Sequence, residues 1–175
     1  FRAAQPRADI VYIPGNHEDW LDDLLMDNPG LQGAPGTKWE VLTGLSDIEG
    51  IAWLPYGTQV NLGDLVAVCH GDPKSFPKKP HLVANKYPRQ FTAFGHTHRA
   101  ATHYRTVYDS DGEPSTLGDM NVGTLSQVAE YDRDPDHQQA FGVVEFFGNR
   151  GNGKPFFRAD LRHIVKDKRG RAFVA

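Results

Sequence analysis

Short apolar runs, each closed by a polar or glycine-rich loop, recur along the chain. Asp9–Pro14 (DIVYIP) is a β-branched and aromatic run of the kind buried strands use, and it feeds into Gly15-Asn16-His17-Glu18. Beyond that loop the period changes. Trp20, Leu21, Leu24 and Leu25 repeat at helical spacing, with Glu18, Asp19, Asp22 and Asp23 in the first turns, where negative charge suits the helix dipole. Asn28-Pro29-Gly30 terminates this helix. Glu40–Thr43 and Ile51–Pro55 read as weaker strands. Leu65–His70 (LVAVCH) is a second buried strand, closed by Gly71-Asp72-Pro73, and Phe91–Gly95 is a third, running into His96-Thr97-His98. A short helix is expected over His81–Tyr87, between Pro80 and Pro88. From Ala100 onward the pattern is antiparallel: Ala100–Tyr108 alternates, Asp109–Gly112 turns, and Gly118–Val122 follows. Gln139–Phe147 then returns over Gly148–Gly153 into Pro155–Ile164. Val165–Ala175 is basic and is expected to fray. The pattern predicts an α/β half followed by a β-meander, in one domain over residues 1–164 with a basic tail over 165–175. Trp20 and Trp53 are expected in its core.

Composition narrows the class. With 175 residues, 39% of them hydrophobic and 11% aromatic, the chain has the material for a packed core and is unlike a disordered segment. Its single cysteine, Cys69, excludes an internal disulfide framework; beside His70 on a strand, it is expected to point the other way as a buried thiol. No apolar run approaches the ~20 residues of a membrane span, so no membrane partner is expected. The net charge of −3 hides an asymmetry. Acids dominate the first 50 residues, whereas none lies between Asp72 and Asp109, a gap holding Lys74, Lys78, Lys79, Lys86, Arg89, Arg99 and Arg105. Such a stretch either handles an anion or is a solvated basic face, and a nucleic-acid partner is compatible with it.

Three predicted strands end on loops rich in metal-ligand residues: Gly15-Asn16-His17-Glu18, His70-Gly71-Asp72 and Gly95-His96-Thr97-His98. Loops at the carboxyl ends of neighbouring strands converge on one crevice in open α/β sheets. A glycine before the ligand, as at Gly15 and Gly95, is expected to let the backbone turn sharply. Neutral imidazole suits zinc, iron, manganese or nickel, and an amide oxygen suits harder ions. A mixed Asn/His set therefore points to a borderline divalent metal rather than calcium or copper(I).

In this order and spacing, Gly15-Asn16-His17-Glu18, His70-Gly71 and Gly95-His96-Thr97-His98 resemble the last three motif blocks of the calcineurin-like metallophosphoesterases, over residues 9–100. The resemblance implies a mixed β-sandwich flanked by helices. It also implies hydrolysis of a phosphomonoester, phosphodiester or nucleotide pyrophosphate at a centre of two divalent ions (Mn, Fe, Zn or Ni). Carried over by position, it makes Asn16, His70 and His96 ligands of one metal and His98 a ligand of the other. It sets His17 against the leaving-group oxygen, with Glu18 hydrogen-bonded to His17 to fix its tautomer, and Arg99 at the phosphate. The implied chemistry is in-line attack on phosphorus by a metal-activated hydroxide. Bacterial and bacteriophage members are the most similar in style, which implies a cytoplasmic protein acting on a phosphorylated small molecule or nucleotide.

Two earlier blocks of that family, Asp-x-His and Gly-Asp-x-x-Asp, have no counterpart. The residues before Asn16 contain no histidine, and Asp9 belongs to the strand leading into Gly15. The sequence therefore reads as a carboxyl-terminal, N-terminally truncated portion, with at most one bound ion and hydrolysis at or near background. Two other function classes stay open: a non-catalytic binding or scaffold version of the family, and a metal-dependent nuclease, for which the basic stretch argues. Asp72 is expected to be a turn residue. His81, His103, His137 and His163 lack motif context and are expected at the surface or in packing roles.

Overall fold

The Ile-Val-Tyr run forms strand β1 (Ile10–Tyr12) of the computed structural model. It pairs in parallel with β2 (Ile51–Trp53), Tyr12 opposite Trp53. Residues 7–71, 90–108, 110–126, 137–148 and 156–175 are described. They are mixed α/β, mostly strand, and the chain divides into two units, Phe1–Thr58 and Gln59–Ala175.

In the first unit, helix α1 (Asn16–Asp27) begins directly after Gly15, whose backbone is extended (φ −98°, ψ −177°). Gly15 donates its N–H to the Glu18 carboxylate at 2.6 Å, which satisfies one of the donors a helix start leaves over. Leu21 and Leu25 are half-buried, but Trp20 and Leu24 are 59% and 52% exposed. The expectation that Trp20 is core is thus corrected: only the Leu21–Leu25 edge of the apolar stripe is covered, and Trp20 lies outside it. Trp53 is half-buried, packed on Tyr12 with ring centroids 4.7 Å apart.

The strand expected over Glu40–Thr43 is instead a single helical turn, α2 (Trp39–Leu42). Thr43 donates its N–H to the Trp39 carbonyl at 3.0 Å, and Gly44, left-handed at φ 67°, ends the turn. Local bonds absorb the backbone groups that a strand would have to pair elsewhere. The turn also delivers the Trp39 indole N–H to the Tyr12 hydroxyl at 3.1 Å.

The second unit holds two sheets. β3 (Gln59–Leu62), β4 (Val66–Cys69), β5 (Phe91–Phe94), β6 (Ala100–Tyr108) and β7 (Pro114–Val122) are ordered β3-β4-β5-β7-β6. Inside that sheet β4, β5 and β7 run parallel, and both edges are antiparallel. β8 (Ala140–Phe147), β9 (Phe156–Lys166) and β10 (Ala172–Val174) form an antiparallel sheet. The sheets meet through buried Val66, Phe91, Ala93 and Met120 against Val144, Phe157, Ala159 and Leu161, with the Phe91 and Phe157 rings edge to face at 5.3 Å.

Residues 165–175 do not fray. β9 runs to Lys166 and β10 pairs back onto it, Ala172 opposite Lys166. The Asp167 carboxylate closes the turn, accepting the N–H groups of Arg169 (2.8 Å) and Arg171 (2.9 Å) and the Arg171 Nε (2.7 Å). Those bonds hold its pKa below 3.8, those from Arg171 foremost. The helix expected over His81–Tyr87 lies outside the described residues, as do Asp72, Lys74, Lys78, Lys79, Lys86 and Arg89. No helix among the described residues is long and apolar enough to cross a membrane.

Candidate functional site

Because β4, β5 and β7 are parallel neighbours, their carboxyl ends lie side by side, and Cys69, Phe94 and Asn121 share one row across them. The next residues on β4 and β5 are therefore adjacent: Gly95 donates its N–H to the His70 carbonyl at 3.0 Å. This register brings the imidazoles of His70 and His96 to 5.4 Å, centroid to centroid, with planes at 74°. Two imidazoles on one ion with metal–nitrogen distances near 2.0–2.1 Å would have centroids roughly 4.5–5.2 Å apart at right-angled to tetrahedral geometry. The observed 5.4 Å lies just beyond that range.

The loop after β5 has an unusual backbone. His96 (φ 66°) and His98 (φ 57°) are the non-glycine residues with positive φ among the described residues. A left-handed residue with a side chain costs of order 1–3 kcal/mol and persists only where its surroundings over-determine it. The sharp turn was expected from the preceding glycine, and that is corrected. Gly95 is not left-handed, and a Cβ there would meet only the His70 carbonyl at an ordinary 3.6 Å. The histidines themselves carry the reversal.

Three contacts surround this loop. The amide of Asn121, a residue without solvent exposure, donates to the Thr97 hydroxyl, which also accepts the Arg99 N–H at 3.4 Å. Gln138 donates its backbone N–H to the His98 carbonyl at 2.9 Å, and its side-chain Oε1 accepts the Ala100 N–H at 2.8 Å. The His137 ring stands edge to face against His98, centroids 4.6 Å apart. None of Asn121, His137 and Gln138 was singled out as a site residue from the sequence. An amide on an otherwise apolar strand end was the only available signal, at Asn121. His103 lies on β6 with Nδ1 3.9 Å from the buried Asp119 carboxylate, away from the loop residues in register.

Asn16, His17 and Glu18 belong to the first unit, in the first turn of α1 rather than in a loop. Asn16 is half-buried; His17 is exposed, its ring stacked on Trp20 at 4.5 Å. Glu18 does not bond His17 as expected. Its carboxylate accepts the Gly15 N–H and the Tyr12 hydroxyl (3.0 Å), because capping the helix puts it on the side facing β1. Burial is the main reason that the Tyr12 pKa stands above 10.0; the Trp39 N–H opposes the rise and Glu18 adds to it. Cys69, expected to be buried, is half-buried, as is Arg99.

Among the described residues, no three His, Cys, Asp or Glu side chains gather into a group that could hold a metal ion; His70 stands against His96 and His98 against His137. No family model matches the chain, and no curated protein is significantly similar to it in sequence.

Proposed function

We propose that this chain serves metal-dependent phosphoester hydrolysis of the calcineurin-like type, with His70 and His96 as the core of an ion site. The observation that carries the proposal is the loop after β5, where two left-handed histidines flank Thr97 and one of them faces His70 across the parallel pair. Strain kept at such a loop is better explained by placing two imidazoles than by packing, because glycine would make the same turn without cost. The two face-to-face sheets of the second unit are compatible with the mixed sandwich that this family uses.

In this proposal His70 and His96 hold one divalent ion (Mn, Fe, Zn or Ni). The ion supplies Lewis acidity at a phosphoryl oxygen when bound. Arg99 contacts the phosphate of a phosphorylated small molecule or nucleotide. Glu18 steadies the turn that carries His17 through its bond to Gly15, a structural role rather than a catalytic one. All the ligands named here are neutral. Two dications ~3.7 Å apart held by neutral ligands alone would repel by roughly 18 kcal/mol at an effective dielectric of 20, so one ion is proposed at these histidines.

The experiment is calorimetric titration of inorganic phosphate into the zinc-loaded and the metal-free chain. Phosphate is expected to bind only when the ion is present, with turnover of bis(p-nitrophenyl) phosphate near background. Equal phosphate binding with and without zinc would overturn the proposal. A non-catalytic binding version is favoured instead if ion-dependent phosphate binding persists but no turnover appears once a carboxylate-bearing Asp-x-His and Gly-Asp-x-x-Asp segment is fused ahead of Phe1.

A further inference from the structure

We propose that Asn121 and Gln138 are positioning residues, which grip the Gly95–His98 loop from two sides and keep His96 facing His70. The proposal rests on His70 and His96 being ion ligands, as argued above. A loop with two left-handed histidines relaxes unless other groups hold it, and the holding groups can be named. The buried Asn121 amide reaches the hydroxyl of Thr97, the residue between the two histidines. Its own Oδ1 is fixed by the Gly123 N–H at 3.3 Å, so the amide is oriented with its NH2 toward the loop. On the other side, Gln138 binds both ends of the loop exit: its N–H holds the His98 carbonyl, and its Oε1 holds the Ala100 N–H where β6 begins.

Gln138 is itself seated firmly. Thr124 donates its N–H to the Gln138 carbonyl at 3.0 Å, and Gly123, left-handed at φ 70°, lets the segment come close: a Cβ there would lie 2.5 Å from the Gln138 carbonyl oxygen. The Gln139 side chain anchors the same segment to the carbonyls of Leu125 and Ser126. The last residues of β7 and the first residues before β8 thus form a brace around the histidine loop. Neither Asn121 nor Gln138 is an ion ligand; each acts through the loop.

The test uses cobalt(II) binding to the full chain, followed by visible absorption and by competition with a chromophoric chelator. Thr97→Val removes the acceptor that Asn121 holds at nearly constant shape, and Gln138→Ala removes the side-chain grip on Ala100. Each is expected to weaken cobalt(II) binding about 10–100-fold, the usual effect of losing a group that orients a ligand, and to alter the absorption band. Thr97→Ser and Gln138→Glu, which keep the hydroxyl and the acceptor oxygen, are expected to bind within about threefold of wild type. The metal-free thermal midpoint separates positioning from stability. Lower midpoints with unchanged affinity would overturn the inference, as would wild-type affinity in both Thr97→Val and Gln138→Ala while His96→Ala loses the ion, an outcome that leaves the ion site itself standing. Failure of the wild-type chain to bind cobalt(II) at all would remove the ion site and the inference together.

Discussion

His70 and His96 follow different strands, yet their rings stand 5.4 Å apart because the parallel register of β4 and β5 sets Cys69 opposite Phe94 and ties Gly95 to the His70 carbonyl. A slip of one residue would turn His70 to the other face of the sheet and abolish the pair. The histidine pair is therefore a property of sheet register, which buried Val66, Phe91, Ala93 and Met120 of the same sheet secure by packing against Val144, Phe157, Ala159 and Leu161 of the other layer.

The left-handed histidines give a prediction whose sign is unusual for a substitution to glycine. At φ 57°, glycine relieves the strain of His98 and alanine does not. His98→Gly is expected to be more stable than His98→Ala by about 1 kcal/mol, or roughly 2–4 °C in thermal midpoint for a chain of this size. An alanine variant as stable as the glycine variant would show that the loop is relaxed in solution.

Gly118 tests how closely β6, β7 and the aromatic core approach one another. A Cβ there would lie 2.6 Å from the His103 carbonyl oxygen, a backbone atom that cannot rotate away, and 2.7 Å from the Tyr104 ring. Gly118→Ala is expected to cost about 1–3 kcal/mol in chemical denaturation. Gly148→Ala, where nothing among the described residues lies within 4 Å of the new Cβ, is the control and should change little.

Alkaline stability follows from Tyr12. Its folded pKa is raised above 10.0, so the neutral phenol stabilises the fold; that contribution is complete below pH 10.0 and is lost as pH rises through the higher folded value. Tyr12→Phe forfeits the bonds to Trp39 and Glu18, about 1 kcal/mol at neutral pH, but has no phenol to ionise. The stability gap between wild type and Tyr12→Phe should narrow as pH passes 10.0, read from midpoints across the alkaline range. A gap constant with pH would mean that this phenol does not titrate with folding.

Much of the fold was legible from period and punctuation. β1, β4, β5, β6, β8 and β9 lie where continuous or alternating apolar runs placed them, and α1 where the helical spacing did. The failures have local causes. Glu40-Val41-Leu42-Thr43 has the residues of a strand, but Gly44 closes a helical turn behind it. Gln59–Leu62 is too polar to announce a strand and is recruited by pairing with β4. The tail looked loose because the grip of Asp167 on Arg169 and Arg171 is a side-chain effect that no period reveals. At the site, the histidines stood out through their glycine-flanked blocks and strand ends. Their left-handed backbones and the brace from Asn121 and Gln138 depend on residues far apart in sequence, so spacing carried no sign of them. Glu18 was misassigned for a simpler reason: three residues after Gly15 it was equally placed to cap a helix, and the cap won.

Whether His70 and His96 together hold one divalent ion is decided by equilibrium dialysis of the full chain against zinc, followed by elemental analysis of the wild type and of His70→Ala/His96→Ala. One zinc per wild-type chain and none in the double variant is expected, with the fold of both intact by circular dichroism. Zinc retained equally by the double variant, no zinc in the wild type, or two tightly held ions per chain would contradict it.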